Sequence, residues 1–306
     1  MSSLYTIIVT YNSMKWIDKC IQCLENSSIH TEIVVVDNKS NDNTVSHIAS
    51  SYPDVHLIKN ENNKGFGQAN NQGIEYAYKK GATHFFLCNQ DLYVRPDALE
   101  KLVEIQDRYS LYVVSPMQMN GTFELVDQSF YNSCLHNNIS FVSNLINEHL
   151  LDYYEIKYAP AAAWVLSRDC IEKIGGFDPL FFHYGEDVNY LHRVVYHQMK
   201  IGVVPDALVA HDRIFKGNVA AFKKYSHLAI LLSLHSNPAY KPLEINRQRV
   251  TYHMVFVRDI LKSFVTLKFK NGVSLLSDYF TFWLSIRKVK RSVNTNRMIN
   301  NNWLNI

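Results

Sequence analysis

The first hundred residues alternate short, continuous apolar runs rich in β-branched side chains with stretches of helical periodicity, and this alternation narrows the possible folds more than any other feature. Tyr5 to Thr10 (YTIIVT) and Glu32 to Asp37 (EIVVVD) have the composition of strands covered on both faces. Between them a helix with Ile17, Cys20, Ile21 and Leu24 on one face is expected, entered through Asn12-Ser13, residue types suited to an N-cap. Val55 to Lys59 reads as a third strand, Phe66 to Lys80 as a helix and His84 to Cys88 as a fourth strand. Pro96 to Gln106 reads as a helix with Pro at its start and Leu99, Leu102 and Val103 on one face. Strands separated by helices run parallel through crossovers, so the expected fold class is α/β, a mostly parallel sheet flanked by helices.

Beyond Ser115 the periodicity fades, and 116–158 is expected to form irregular hairpins or loops. Ala159 to Ser167 restores a buried strand, and Gly175-Gly176-Phe177-Asp178 leads to a helix from about Glu186 with Val188, Leu191 and Val195 in register. Ile201 to Val204 is strand-like, a turn is expected at Pro205, and after His211 the pattern is helical. With 306 residues, 47% of them hydrophobic, the chain can bury one large or two moderate cores, which excludes a disordered tail.

The formal charge of +3 averages two unlike parts. Residues 1 to 240 carry 19 Lys and Arg against 25 Asp and Glu, whereas residues 241 to 306 carry 12 against 3. This excludes a strongly basic nucleic-acid binder and points to an anionic surface as a partner of the tail. Five cysteines in a chain opening without a basic, then apolar leader read as a reduced, cytoplasmic protein. Cys20 and Cys23 form a single C-x-x-C on an apolar helix face, so core packing is expected there rather than metal. No stretch reaches the ~18 uncharged apolar residues of a membrane span.

In an open α/β sheet ligands bind at the carboxyl ends of the strands. Here those ends are polar: Thr10-Tyr11-Asn12, Asp37-Asn38 and Asn89-Gln90-Asp91. Asp91 closes an apolar strand, as suits a hard divalent cation that also takes substrate phosphates. The glycines of Asn63 to Gly73 mark a loop-to-helix junction where backbone can approach a ligand. Neither G-x-G-x-x-G nor a Walker A motif occurs, which excludes dinucleotide-binding and P-loop readings. Glu186-Asp187 follows the aromatic run Phe181-Phe182-His183-Tyr184. These carboxylates either favour the helix N-terminal dipole, a ~0.3–1 kcal/mol effect, or supply a general base.

Five ordered segments, TIIVTYN, VVVDNKSNDNT, NKGFGQANNQGI, LCNQD and GGFDPLFFHYGEDVNYLHR, resemble family 2 glycosyltransferases of GT-A fold, in particular their rhamnosyltransferase-like branch. The resemblance covers about residues 3 to 215. It implies an inverting, metal-dependent transfer, with Mg²⁺ or Mn²⁺, from a UDP- or dTDP-linked sugar to a glycan or lipid-linked acceptor in bacterial surface polysaccharide synthesis. Carried over by position, Thr10, Tyr11, Asn12 and Asp37 hold the nucleobase side, and Asn63, Gly65, Phe66 and Asn71 form the nucleoside loop. Asn89-Gln90-Asp91 takes the D-x-D position, and Asp91 with His211 holds the metal. Asp187 is the catalytic base with Glu186 beside it, and Trp164, Tyr184 and Glu186 face the acceptor. Residues 1–115 then form the donor half and 116–215 the acceptor half of one Rossmann-like domain, with a basic helical extension over 216–306. Two departures stand out: Asn89 replaces the first Asp of D-x-D, and Asn189 replaces the second acid of E-D-x-D.

In the extension, Leu275, Leu276, Tyr279, Phe280, Trp283 and Ile286 share helical spacing and precede Arg287, Lys288, Lys290 and Arg291. Either this helix lies on an anionic leaflet at the inner face of the membrane, or it packs on the enzyme with solvated basic ends. Two rival functions stand against the transferase: a silent nucleotide-sugar-binding scaffold, suggested by the two departures, and a nucleotidyltransferase, for which the chain lacks the basic Gly-rich N-terminal loop that binds a triphosphate.

Overall fold

The computed structural model describes residues 3–136, 138–213, 219–241, 246–300 and 302–306, with 219–226 described as backbone only. The elements run β1 (Leu4–Thr10), α1 (Ile17–Glu25), β2 (Glu32–Asp37), α2 (Thr44–Ser51), β3 (His56–Lys59), α3 (Phe66–Lys79), β4 (His84–Asn89), β5 (Leu92–Val94) and α4 (Ala98–Tyr109). There follow β6 (Val113–Asn120), α5 (Gln128–Phe130) widening into a π-type turn over Tyr131–Leu135, α6 (Ile139–Ile146), β7 (Tyr154–Glu155), β8 (Ala163–Ser167), α7 (Arg168–Ile174), α8 (Glu186–Tyr196) and β9 (Ile201–His211). Beyond β9 the described elements are all helices: α9 (Val219–Ser236), α10 (Arg247–Val265), α11 (Phe269–Leu284) and α12 (Ile286–Asn296).

One mixed sheet carries the molecule, in the order β3-β2-β1-β4-β8-β6-β9-β5, with β7 paired to β9. Its β3-β2-β1-β4 half is parallel. Strand β8 runs antiparallel to both β4 and β6, so the second half is mixed. Alternation along each strand divides the core into two layers. Ile7, Val34, Val36, Phe85 and Leu87 pack on one face with Trp164, Phe177 and Tyr190. Ile8, Val35, Phe86 and Cys88 pack on the other with Ile17, Cys20, Ile21 and Leu24 of α1 and Leu99 and Leu102 of α4. All five cysteines are free thiols, and Cys20 is buried in that second layer.

Several expected boundaries shift for identifiable reasons. Helix α1 begins at Ile17 because the Ser13 carbonyl accepts from Trp16 and Ile17, while the Ser13 backbone N–H donates to Thr44 Oγ1; Asn12-Ser13 is a turn, not the cap. Pro96 lies in the turn before α4 rather than inside it. The strand expected to stop at Pro205 continues to His211. The register jumps from Pro116↔Val204 to Met117↔Leu208, so two prolines, neither with an N–H to give the ladder, sit at one bulge. The 116–158 segment is not wholly irregular: β6 runs to Asn120, and caps at Asp127 and Asn138 start α5 and α6. Because β6 crosses residues 115 and 116, the two expected halves share one sheet. The expected start of the extension at 216 lies outside the described residues.

The extension has its own apolar cluster of Leu231, Leu232, Phe256, Ile260, Leu275, Phe282 and Val289, into which Phe181 inserts from the loop before α8. Of the stripe expected on α11, Leu275 is buried and Tyr279 and Ile286 pack against this cluster, while Leu276, Phe280 and Trp283 are exposed. One face of the helix thus packs on the extension's own cluster and the other is exposed.

Candidate active site

The carboxyl ends of β1, β2 and β4 converge, and buried polar groups tie them together. Asp37 is 2% exposed and its carboxylate accepts from Thr10 Oγ1 at 2.9 Å, Ser40 N at 2.9 Å and the Ser40 hydroxyl. Oδ1 takes two of these donors and Oδ2 one, so Oδ2 keeps acceptor capacity for one further N–H. Gln90 and the Tyr11 backbone exchange two hydrogen bonds, joining the ends of β1 and β4 and leaving the Tyr11 ring 45% exposed at the rim. Asn12, in a left-handed conformation, accepts from Asn41 N on its side-chain oxygen and donates its backbone N–H to Ser40 Oγ, which folds the 38–43 loop over this edge.

The loop before α3 is organised by Asn38, whose role no sequence pattern marks. Its amide donates to Asn63 Oδ1 and the Gly65 carbonyl and accepts from Lys64 N and Asn60 Nδ2, so all of its buried capacity is used. Asn63 in turn accepts from Gly65 N. Gly65 has φ +81°, and a Cβ there would stand 2.0 Å from the Phe182 carbonyl oxygen. Only glycine lets the 63–65 loop meet the 181–185 loop this closely. Phe66 packs edge-on against Phe177.

Two expected ligand contacts are corrected. Asn71 does not face the nucleoside loop: it is 3% exposed, donates to the Phe177 and Trp303 carbonyls and accepts from Phe177 N, stapling α3 to the GGFD loop and the chain end. Trp164 does not face an acceptor: it is fully buried, its ring stacked 6.3 Å from Phe177 and tilted against Tyr190. Asn and Trp at these positions fit a motif match equally well as ligand contacts or as core, which is why pattern alone misassigned them.

The tight turn after β4 feeds β5, whose antiparallel pairing to β9 sets Leu92 opposite His211 and brings His211 Nε2 within 3.3 Å of Asp91 Oδ1. Asp91 has a side chain 20% exposed, and the Asn89 side-chain oxygen two residues earlier is buried with no partner. A carboxylate with an orphaned amide oxygen nearby fits a hard cation that completes its shell with phosphate oxygens. His211 Nδ1 accepts from Arg213 Nε at 2.9 Å, while Nε2 faces Asp91. For His211 to ligate through Nε2, Arg213 has to give up that bond. Among the described residues no cluster of three or more His, Cys, Asp or Glu is arranged to hold a metal.

Helix α8 opens at Gly185, held left-handed at φ +91°, with Glu186 and Asp187 in its first turn. Asp187 Oδ2 accepts from the Tyr158 hydroxyl at 2.8 Å and Oδ1 from Val188 N at 2.7 Å, and the Ala161 N–H also favours its charge. Burial outweighs these donors and raises the Asp187 pKa. Glu186 is 6% exposed with Oε2 unpartnered; burial, with the charge of Asp187 added, pushes it up to about 8. Both neighbours are thus held above the ordinary carboxyl range, and only Asp187 has hydrogen-bond donors that favour its charged form. Tyr158 lies in the segment that showed no periodicity, and no sequence signal marked it. Asn189, which stands where the family pattern has a second acid, is fully buried and donates to Ser236 Oγ of α9 at 2.9 Å. Tyr184 is at the rim, 39% exposed and packed on His183.

The two acidic centres share one sheet edge. Asn89 N donates to the Ala162 carbonyl at 3.0 Å, so the residues leading into β8 lie beside the Asn89–Asp91 turn, and Ala161 of that same segment faces Asp187.

Residues 5–175 match the model of glycosyl transferase family 2. The chain is 25% identical over 217 residues to the dTDP-rhamnosyl transferase RfbF of Shigella flexneri, covering 69% of each chain. It is 26% identical over 205 residues to the low-salt glycan biosynthesis hexosyltransferase Agl10 of Haloferax volcanii, covering 66% of this chain and 64% of Agl10. In fold it is similar to residues 1–349 of S. aureus TarS, solved in complex with UDP-GlcNAc, with a TM-score of 0.59 and 15% identity over 96% of this chain and 90% of that one.

Proposed function

Because the chain belongs to glycosyl transferase family 2, we propose that it moves a sugar from a UDP- or dTDP-linked donor to a hydroxyl of a glycan or lipid-linked acceptor, with inversion, in surface polysaccharide synthesis. Relatives whose names describe rhamnosyl and hexosyl transfer support the substrate class. The observation that carries the chemistry is the Tyr158–Asp187 pair, a half-buried carboxylate oriented by the Tyr158 hydroxyl beside the Asn89–Asp91 turn.

In this reading Asp37 accepts from the base ring N–H through the free capacity of Oδ2, with Thr10 and Ser40 fixing its orientation. Tyr11 lines the rim beside the base, and Asn63, Gly65 and Phe66 border the nucleoside. Asp187 takes the proton of the acceptor hydroxyl as the new C–O bond forms on the face opposite the nucleotide. The sugar–phosphate C–O bond breaks and its electron pair leaves with the diphosphate. Glu186, protonated at neutral pH, adds no second anion and can donate to a hydroxyl of the acceptor, with Tyr184 at the mouth. Asp91 is the residue that would hold Mg²⁺ or Mn²⁺, with His211 against it; a bound cation there would supply electrostatic stabilisation of the leaving diphosphate.

A silent scaffold is not supported, since the base, its orienting hydroxyl and the donor-side carboxylates are all present. A thermal-shift screen of UDP-, dTDP- and GDP-sugars with Mg²⁺ or Mn²⁺ tests the donor, where a ligand at 100 times its Kd adds ~2.7 kcal/mol. Acceptor-dependent release of nucleoside diphosphate then tests transfer. Stabilisation by a sugar nucleotide without release under any acceptor would favour the scaffold.

A further inference from the structure

The α10–α11 hairpin leaves apolar stripes uncovered on both of its helices. On α10, Met254, Leu261 and Val265 are 67%, 60% and 82% exposed and follow one helical face, opposite Phe256 and Ile260, which are buried. On α11, Val273, Leu276 and Phe280 are 58%, 51% and 63% exposed, opposite the buried Leu275 and Phe282. The turn between the helices continues the feature, with Leu267 74% exposed. Isolated apolar residues are ordinary on a protein surface, but two full helical stripes joined at an apolar tip are not. Cations surround them: from Arg247 to Arg297 the chain carries eleven Lys and Arg against two Asp. Arg249 and Arg297 donate to backbone carbonyls and Arg258 pairs with Asp259, whereas Lys262, Lys268 and Lys270 near the tip and Arg287, Lys288, Lys290 and Arg291 on α12 are exposed.

We propose that this hairpin is an interfacial anchor that seats the protein on an anionic lipid leaflet, its apolar stripes and tip entering the headgroup boundary while the lysines and arginines meet lipid phosphates. The basic run of α12 alone is a lesser part of this surface, since Val289 and Val293 bury the other face of that helix. A second copy of the chain fits worse. A two-fold interface sets the same cationic patch against itself, and lysines are depleted from the cores of protein interfaces. Spanning is excluded for this hairpin, because no described helix is long and apolar enough to cross a membrane. The proposal deepens the lipid-linked-acceptor reading, yet its test uses no sugar nucleotide, so the two can fail separately.

The full chain is sedimented with phosphatidylcholine vesicles with and without phosphatidylglycerol, and its solution mass is measured alongside. Binding is expected only with the anionic lipid, weakened by salt, with Trp283 emission shifting to the blue. The double variant Leu261→Glu, Phe280→Glu replaces exposed side chains, so its melting temperature should hold while partitioning falls ~tenfold or more. Absence of binding, equal binding to neutral vesicles, or retention by the variant would overturn the proposal. So would a two-chain mass that the variant returns to one, which would assign the surface to self-association.

Discussion

Asp187→Asn separates the chemistry from the fold because the site tells the two apart. Asparagine keeps one acceptor oxygen for Val188 N, and its amide can turn toward Tyr158, whose hydroxyl oxygen then accepts instead of donating. The exchange also removes a desolvated charge beside the buried Glu186, so the net change in stability should lie within ~1 kcal/mol. What is lost is the proton acceptor. General-base catalysis contributes ~10²–10⁴ in rate, or ~2.7–5.4 kcal/mol of barrier. In an assay of acceptor-stimulated nucleoside diphosphate release, kcat should fall by that factor while the melting temperature and donor affinity hold. A second readout follows from the coupling: without the Asp187 charge Glu186 should titrate below about 8, yet stay raised because burial is the larger cause. Turnover within tenfold of wild type would remove Asp187 from the mechanism. Loss of donor binding together with turnover would show that the carboxylate acts in assembling the site instead.

Glu186→Gln mimics the neutral acid, so transfer at neutral pH should persist and the change in rate near pH 8 should vanish from the pH profile. Because the folded-state pKa of Glu186 is raised, its contribution to stability is present at acid pH and lost between about 4.5 and 8. The variant should flatten that slope in melts taken across the same window. Tyr158→Phe removes a bond that favours the Asp187 anion; kcat should drop ~tenfold and the acid limb of the profile should move to higher pH, whereas an unmoved limb would make Tyr158 merely structural. Gly65→Ala drives a Cβ to 2.0 Å from the Phe182 carbonyl and strains a left-handed φ, so it should cost ~1–3 kcal/mol in denaturant titration and weaken donor binding.

The donor half was legible because each of its strands is a short apolar run closed by a polar end, and because both faces of the sheet are covered. The strand ends that read as polar are the ones that carry Asp37, Asn89 and Asp91. The second half was less legible for a physical reason: β8 runs antiparallel in the middle of the sheet, and the bulge at Pro116 and Pro205 breaks the pattern of the strands beside it. Tyr158 acts through one long-range hydrogen bond and Asn38 through four, none of which leaves a periodic trace. Asn71 and Trp164 lie in recognisable motifs, but only burial distinguishes a ligand contact from a staple. The extension looked like an appendage from its charge. Instead Ser292 and Asn296 of α12 bond the buried Asp178, the Asn302 carbonyl accepts from Gly176 N, and Ser236 holds Asn189. Residues of α9, α12 and the chain end therefore brace the GGFD loop and helix α8, which carries Glu186 and Asp187.

The central claim is that the cradle at the ends of β1, β2 and β4 takes a nucleoside diphosphate sugar through Asp37. Calorimetric titration of UDP and dTDP, free and sugar-linked, into the wild-type chain and Asp37→Asn measures it directly. The account predicts saturable binding of at least one of these ligands, weakened ~tenfold or more in the variant as the charged acceptor for the base N–H is lost. Equal affinity in both chains, or no binding of any sugar nucleotide by the wild type, would contradict it.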